Sequence, residues 1–237
     1  MWRSSSAWAV ARPARRTSSS RTAATAAARA GRESLPPSNS SQIRANYARI
    51  REEVGPDVTV VVATKYVDVD GMRALAEAGV EVVGENRAQD LEAKHGRFGE
   101  RFRWHFIGHL QSRKGKTVSR YCELVHSLDS LSAAKRLSIP ALVEVNLAGE
   151  ESKSGVPRND LGPFLAEVVE LGVEVRGLMT MPPLSDDPER SRPYFQELRE
   201  LGAKHGLTEL SMGTSQDYRV AAEEGATLVR VGSVLFG

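Results

Sequence analysis

An apolar run, Val58 to Ala63, is followed directly by three polar residues, Thr64, Lys65 and Tyr66. A lysine at the end of a buried strand holds its ammonium where water is scarce, and lost solvation favours the neutral, nucleophilic amine. A neutral amine attacks aldehydes. The same side chain could instead snorkel from the strand end to solvent, and its position alone leaves both readings open. Far along the chain, Gly213-Thr214-Ser215 and Gly232-Ser233 are short glycine- and hydroxyl-bearing turns of the kind whose backbone N–H groups hold phosphate. An ordinary helix cap explains Ser215 but not the pairing of two such turns. An amine at Lys65 and a phosphate cradle at the paired turns fit one ligand. Arg230, just ahead of Gly232, is a cation aimed at the same region, or else half of an interior ion pair with Glu144.

Residues so far apart need a frame that gathers them. After an opening helix at Gln42 to Val54, β-branched runs predict strands at Val58 to Val67, Val80 to Glu85, Arg103 to Gly108 and Leu124 to Asp129. Four more follow at Ala141 to Asn146, Val173 to Met181, Glu209 to Gly213 and Thr227 to Ser233. Between them, helices are predicted at Val69 to Ala78, Arg87 to Phe98, Lys114 to Arg120, Ser130 to Leu137, Arg158 to Leu171, Pro188 to His205 and Gln216 to Glu223. Gly79, Gly172, Gly206 and Gly225 stand where helices should end. Eight strands alternating with helices, apolar on both faces, predict an α/β fold with a single TIM-type (β/α)8 barrel, an open sheet being the alternative. In such a barrel chemistry sits at the C-terminal ends of the strands. Polar residues do gather at those ends: Lys65 after the first strand, Glu85-Asn86 after the second, His109 after the third, Asn146 after the fifth, Ser215 after the seventh and Ser233 after the eighth.

Composition narrows the classes. No uncharged apolar run approaches the roughly 18 residues that cross a membrane, so a transmembrane protein is not expected. The single cysteine, Cys122, excludes an intramolecular disulfide and suits a reducing compartment. The net charge of +2 conceals an asymmetry, because residues 1 to 32 hold seven arginines and no acid, which leaves the rest at −5. An acidic body argues against a nucleic-acid surface. Residues 1 to 40, rich in Arg, Ser and Ala, are expected to be a disordered extension preceding one barrel domain over 41 to 237. Their composition is that of an organellar transit peptide, or of an upstream start in a GC-rich gene. Gly115-Lys116-Thr117 mimics a P-loop tail, but the motif's first glycine would fall at Leu110. His105 and His109 have a spacing suited to metal only on a helix, and no third ligand is apparent.

Seven blocks carry a family resemblance. They are Val62-Ala63-Thr64-Lys65; Gly84-Glu85-Asn86-Arg87-Ala88-Gln89; Trp104 to Ser112; Val145-Asn146 with Ser152-Lys153-Ser154-Gly155; Arg176 to Met181; Ser211 to Ser215; and Val229 to Ser233. Together, from about Gln42 to Gly237, they resemble the pyridoxal phosphate homeostasis proteins, the YggS or PROSC family, whose fold is similar to the N-terminal barrel of alanine racemase. The resemblance implies vitamin B6 chemistry: pyridoxal 5′-phosphate (PLP) bound covalently as a Schiff base on Lys65. Its phosphate would be cradled by Ser215, Gly232 and Ser233, with Arg230 facing the pyridine ring and Asn86 nearby. An arginine there donates a hydrogen bond without protonating the ring, which makes a weaker electron sink than an acid would. The chain departs from the pattern in a short fourth helix, a clipped link before the first strand, an end at Phe236-Gly237, and Thr214 and Gln216 where relatives often carry Met and Asp.

The same resemblance implies a cytoplasmic carrier and reservoir of PLP rather than an enzyme, a monomer or weak dimer, with PLP-requiring apoenzymes as possible recipients and neither nucleic acid nor membrane as partner. Organellar import applies if residues 1 to 40 are a true transit peptide. A racemase needs a base on each face of its substrate, and no second domain is expected after the eighth strand to help supply one. The alternative is a low-activity PLP-dependent racemase using Lys65, with Tyr66 or His105 as helpers. A third reading is a protein-binding regulator with a vestigial site.

Overall fold

The computed structural model describes residues 39–150 and 154–237. The expected extension, apart from its last two residues, and the motif residues Ser152 and Lys153 lie outside the described residues. Helix α1 (Ser40–Val54) starts where the Asn39 side chain accepts the Ser41 N–H at 2.9 Å, and ends at Gly55. Its Ile43, Tyr47, Ile50 and Val54 recur at helical spacing and bury one face. On that face Asn46 donates to the carbonyls of Leu235 and Gly237, both at 3.1 Å, fastening the start of the domain to its last turn.

The first half of the domain then runs β1 (Thr59–Ala63), α2 (Val69–Ala78), β2 (Val82–Glu85), α3 (Ala88–Phe98), β3 (Arg103–Phe106), α4 (Gly115–Tyr121), β4 (Leu124–Leu128), α5 (Leu131–Ala134) and β5 (Ala141–Asn146). The second runs β6 (Val156–Pro157), α6 (Leu161–Glu170), β7 (Val175–Met179), α7 (Arg192–His205), β8 (Glu209–Thr214), α8 (Tyr218–Glu223), β9 (Leu228–Val231) and α9 (Ser233–Phe236). Every pairing is parallel. β1 to β5 pair in sequence, β5 pairs with β7, then β7 with β8 and β8 with β9, and β9 returns to β1 with Val62 beside Val231. The ring is therefore a closed eight-stranded barrel, and the open sheet is set aside. β6 lies outside the ring, a two-residue addition along the end of β5.

Alternate residues of each strand face in or out. Val61, Val82, Leu124, Leu142, Met179 and Leu228 form a small cluster of their own, the apolar layer inside the ring. The larger core lies between strands and helices, where Val60 and Val62 meet Ile43, Leu75, Leu91 and Phe195. The short fourth helix leaves the ring intact: α5 is a single turn, yet Val125 still pairs with Ala141 and Leu128 with Val143, through an irregular register. The first strand is shorter than expected, because beyond Ala63 the chain turns. β6 and α9 were not predicted, being too short to show a period. Among the described residues no helix is long and apolar enough to cross a membrane.

Candidate functional site

The C-terminal ends of the strands carry the polar residues, and a bulge aims part of them. Between Ser211–Leu228 and Thr214–Arg230 the β8–β9 register shifts, with one more residue on β8 than on β9. Gly213 occupies this stretch with φ +88°, a backbone few L residues adopt, and a Cβ there would lie 2.5 Å from that of Ala221. The bulge turns Thr214 and Ser215 toward the end of β9. There the Ser215 Oγ accepts the backbone N–H groups of Gly232 at 2.9 Å and Val234 at 3.5 Å. The two turns picked from the sequence thus meet at one hydroxyl, and Ser233 lies between the two amides. Asp217 closes the β8 turn from beneath, accepting from the Thr214 N–H at 2.7 Å and its hydroxyl at 3.0 Å. The helix expected from Gln216 starts two residues later, at Tyr218.

Lys65 stands next door. Gly232 packs beside Ala63, two residues before the lysine: a Cβ on Gly232 would lie 3.7 Å from that of Ala63. The expected burial of the ammonium is not found. Lys65 is exposed, its Nζ 4.9 Å from the centroid of the half-exposed Tyr66 ring. It is the predecessor that is clamped. The buried Thr64 gives its hydroxyl to Glu85 Oε1 at 2.6 Å, and Lys94, reaching in from α3, binds both Glu85 Oε1 and the Thr64 carbonyl at 2.5 Å. Thr64 shares the parity of Val60 and Val62 and faces the helices, so Lys65 shares that of Val61 and opens on the barrel mouth, where solvent reaches it.

Asn86 follows β2 on the same rim. Its Oδ1 is buried without a hydrogen-bond partner among the described residues, an acceptor awaiting a donor. The loop after β3 presses on it so closely that a Cβ on Gly108 would sit 2.2 Å from the Asn86 carbonyl oxygen.

Arg230 is buried inside the barrel, where it donates to the Ser211 hydroxyl at 2.5 Å, to the Thr180 carbonyl at 3.0 Å and to the Met181 sulfur at 2.8 Å. Burial pushes its guanidinium down to about 10, with Glu144 and then Asp217 acting against the fall, so it remains a cation at neutral pH. Burial pushes the Glu144 carboxyl up to about 7, Asp129 adding to the rise while Arg230 and His109 oppose it. Glu144, Asn146, Met181, Thr214, Gln216 and Asp217 border a cavity of about 450 Å³ over the ends of β5, β7 and β8. That volume suits a small cofactor or metabolite. None of Lys65, Asn86, Ser215, Arg230, Gly232 and Ser233 is in its lining, although Thr214 and Gln216 flank Ser215. The structure thus joins Ser215 directly to Gly232, with Ser233 next in the chain, sets Lys65 and Asn86 on the neighbouring rim, and holds Arg230 below.

Comparisons with known proteins agree with the barrel. The family described as alanine racemase, N-terminal domain, matches residues 38–237, which defines the class. Curated relatives in Aquifex aeolicus (41% identical over 192 residues, 74% of this chain and 84% of that protein) and Deinococcus radiodurans (41% over 189 residues, 76% and 88%) are both named pyridoxal phosphate homeostasis protein. The chain belongs to that family. The solved structure of PipY from Synechococcus elongatus with PLP bound superposes with a TM-score of 0.75 at 32% identity, covering 82% of this chain and all of that one. An alanine racemase from Clostridium difficile shares the fold alone, with a TM-score of 0.68 at 14% identity over 84% of this chain and 57% of that one.

Proposed function

We propose that this chain binds pyridoxal 5′-phosphate covalently through Lys65 and acts in PLP homeostasis as a carrier and reservoir rather than as an enzyme. The observation that carries this reading is the convergence of the Gly232 and Val234 amides on Ser215 Oγ, beside the strand end from which Lys65 emerges. Backbone donors and a hydroxyl suit a phosphate, an amine suits an aldehyde, and the orphan Asn86 Oδ1 suits a ligand hydroxyl, so the residues present fit the cofactor. When bound, PLP supplies an aldehyde that captures amines and a ring that withdraws electrons from them.

The chain's own residues favour holding over turnover. Arg230 offers N–H donors and no transferable proton at neutral pH, so it would orient the ring without strengthening its pull. Lys65 is exposed rather than enclosed, so a ligand there can be exchanged with solvent or with a recipient. His105, one of the two helpers considered for a racemase, is withdrawn from that role. It is buried in the barrel between His126 and Glu123. Tyr66 alone stands beside the lysine. The single cysteine is buried and its thiol pushed up by burial, which leaves it unreactive, and the proposed setting of the carrier is the cytoplasm. PLP-requiring apoenzymes are the recipients this role calls for.

The test is to record the visible absorbance of purified protein, trap the adduct with borohydride, map it, and then add D- and L-amino acids in deuterated water. The reading expects a chromophore, an adduct on Lys65 that vanishes in Lys65→Arg, and little exchange of the α-proton. A colourless protein or an adduct elsewhere would sink the binding claim. Rapid exchange would replace carrier by racemase, with Tyr66 as the next residue to change.

A further inference from the structure

Below the rim, a file of polar side chains crosses the barrel. Arg230 donates to Ser211 Oγ; His126 Nδ1 lies 2.7 Å from that oxygen; His126 Nε2 lies 2.9 Å from His105 Nδ1; and His105 Nε2 lies 3.0 Å from Glu123 Oε1. Glu123 borders a cavity of about 240 Å³ at the opposite pole, with Arg103 at 2.7 Å from the same oxygen and Arg176 and Glu209 across it.

The two ends fix the direction. A guanidinium only donates and a carboxylate only accepts. The hydrogen bond from His105, with Arg103 beside it, holds the Glu123 carboxyl below its usual range, and burial first, then the nearness of His105 and of the Arg230 guanidinium, holds His126 neutral. His105 must therefore present N–H at Nε2, which leaves its Nδ1 bare when neutral. His126 then gives Nε2–H to that nitrogen and turns a bare Nδ1 toward Ser211. The serine hydroxyl donates to His126, and its lone pairs face Arg230. A second proton on His105 would reverse both central links and set a His126 N–H against the serine.

We infer that His126 and His105, closed by Glu123, are positioning residues that fix the Ser211 hydroxyl as an acceptor and thereby fix Arg230 from below. This rests on the proposed place of Arg230 beneath the cofactor ring. None of the three lines the cavity over the strand ends. They act through the serine.

Histidine-ring nitrogen NMR of the protein stripped of cofactor tests the chain independently of binding. Both His105 and His126 are expected as Nε2–H tautomers near neutral pH, and Glu123→Ala, altered at the partly exposed end, should let the other tautomers in. His126 as Nδ1–H, or a doubly protonated His105, would overturn the inference. With PLP loaded, Ser211→Ala and His126→Leu should each shift the visible band and weaken retention on the order of tenfold, the scale of one buried hydrogen bond. His126→Asn, which keeps an acceptor near the Nδ1 position, should restore most of it. Because His126 is wholly buried, Glu123→Ala serves where His126→Leu fails to fold, and should shift the band in the same direction. Retention and band unchanged in all of these would also overturn the inference, since Arg230 would then be held without the chain. A wild-type protein that takes up no PLP would instead remove the cofactor reading, and the tautomers alone would decide the chain.

Discussion

The barrel handles buried charge in two ways on its two sides. Near β1 and β2 the arrangement is closed: Glu85, wholly buried, meets Lys94 and Thr64 within one small cluster, and the charges cancel where they stand. Near β8 and β9 it is open: the buried Arg230 has no carboxylate within hydrogen-bond reach among the described residues, and its polar contacts pass from Ser211 through two imidazoles to Glu123 at the far pole. The closed cluster fixes backbone, the segment just before Lys65. The open file fixes a side chain. A residue that must present an exposed amine needs only a rigid stem, whereas a guanidinium held under a ligand needs its orientation set from behind.

The contrast can be broken hardest on the closed side. Lys94→Met leaves the Glu85 carboxylate buried with the Thr64 hydroxyl as its main partner, and losing one half of a buried pair costs about 3–5 kcal/mol. Denaturant unfolding should show that loss, and Lys94→Met combined with Glu85→Gln should recover much of it. A single substitution costing under about 1 kcal/mol would show that the cluster is not a closed pair.

On the open side the expected effect depends on pH and is smaller. Glu144 is raised in the folded protein from an ordinary 4.5 to about 7, so the folded state binds the extra proton and stability falls as pH rises between those values. Above the upper value the buried charge costs on the order of 3 kcal/mol, at 1.36 kcal/mol per unit. Glu144→Gln should remove that slope and make the protein more stable above neutrality while changing little below about pH 4. Unfolding midpoints across pH check it, and a variant that keeps the wild-type slope would mean that another group titrates.

Much of this was legible in the sequence because it depends on short-range pattern. β-branched runs and capping glycines located the eight barrel strands and the major helices, and the rim residues Lys65, Asn86, Ser215, Gly232 and Ser233 stand at strand ends as read. What was not legible depends on register. His105 was weighed against His109, four residues on, yet its partner is His126, 21 residues along on the neighbouring strand. Pairing of His105 with Leu124 sets His126 in phase with it on the inner face, a match visible only once the strands are aligned. The clamp on Thr64 was hidden for the same reason, since it is made by Lys94, a helix residue 30 positions away. The bulge at Gly213 is an extra residue in β8, and a sequence pattern alone does not say which strand carries one.

The smallest effect is expected outside the ring, where charges face water and neither scheme operates. Glu53 on α1 gathers Arg219 at 2.6 Å, the Tyr218 hydroxyl and Arg49 at 3.2 Å, tying the first helix to α8 behind the Ser215 turn. Arg219 first, then the Tyr218 hydroxyl and Arg49, hold its carboxyl down at about 2 against some burial. A lowered carboxyl contributes stability that is complete above the ordinary value of 4.5 and is lost as pH falls toward 2. Both arginines are exposed, so solvent screens the pairs and the contribution is set at about 1 kcal/mol rather than at the full shift. Glu53→Gln should therefore lower stability by about that amount at neutral pH, converge with the wild type in acid, and lose part of its effect in high salt. Buried Glu85 should show no such salt dependence. If Glu53→Gln were as costly as Lys94→Met, the helical layer would be carrying charge as the barrel does, and the distinction between the closed cluster and the screened surface would fail.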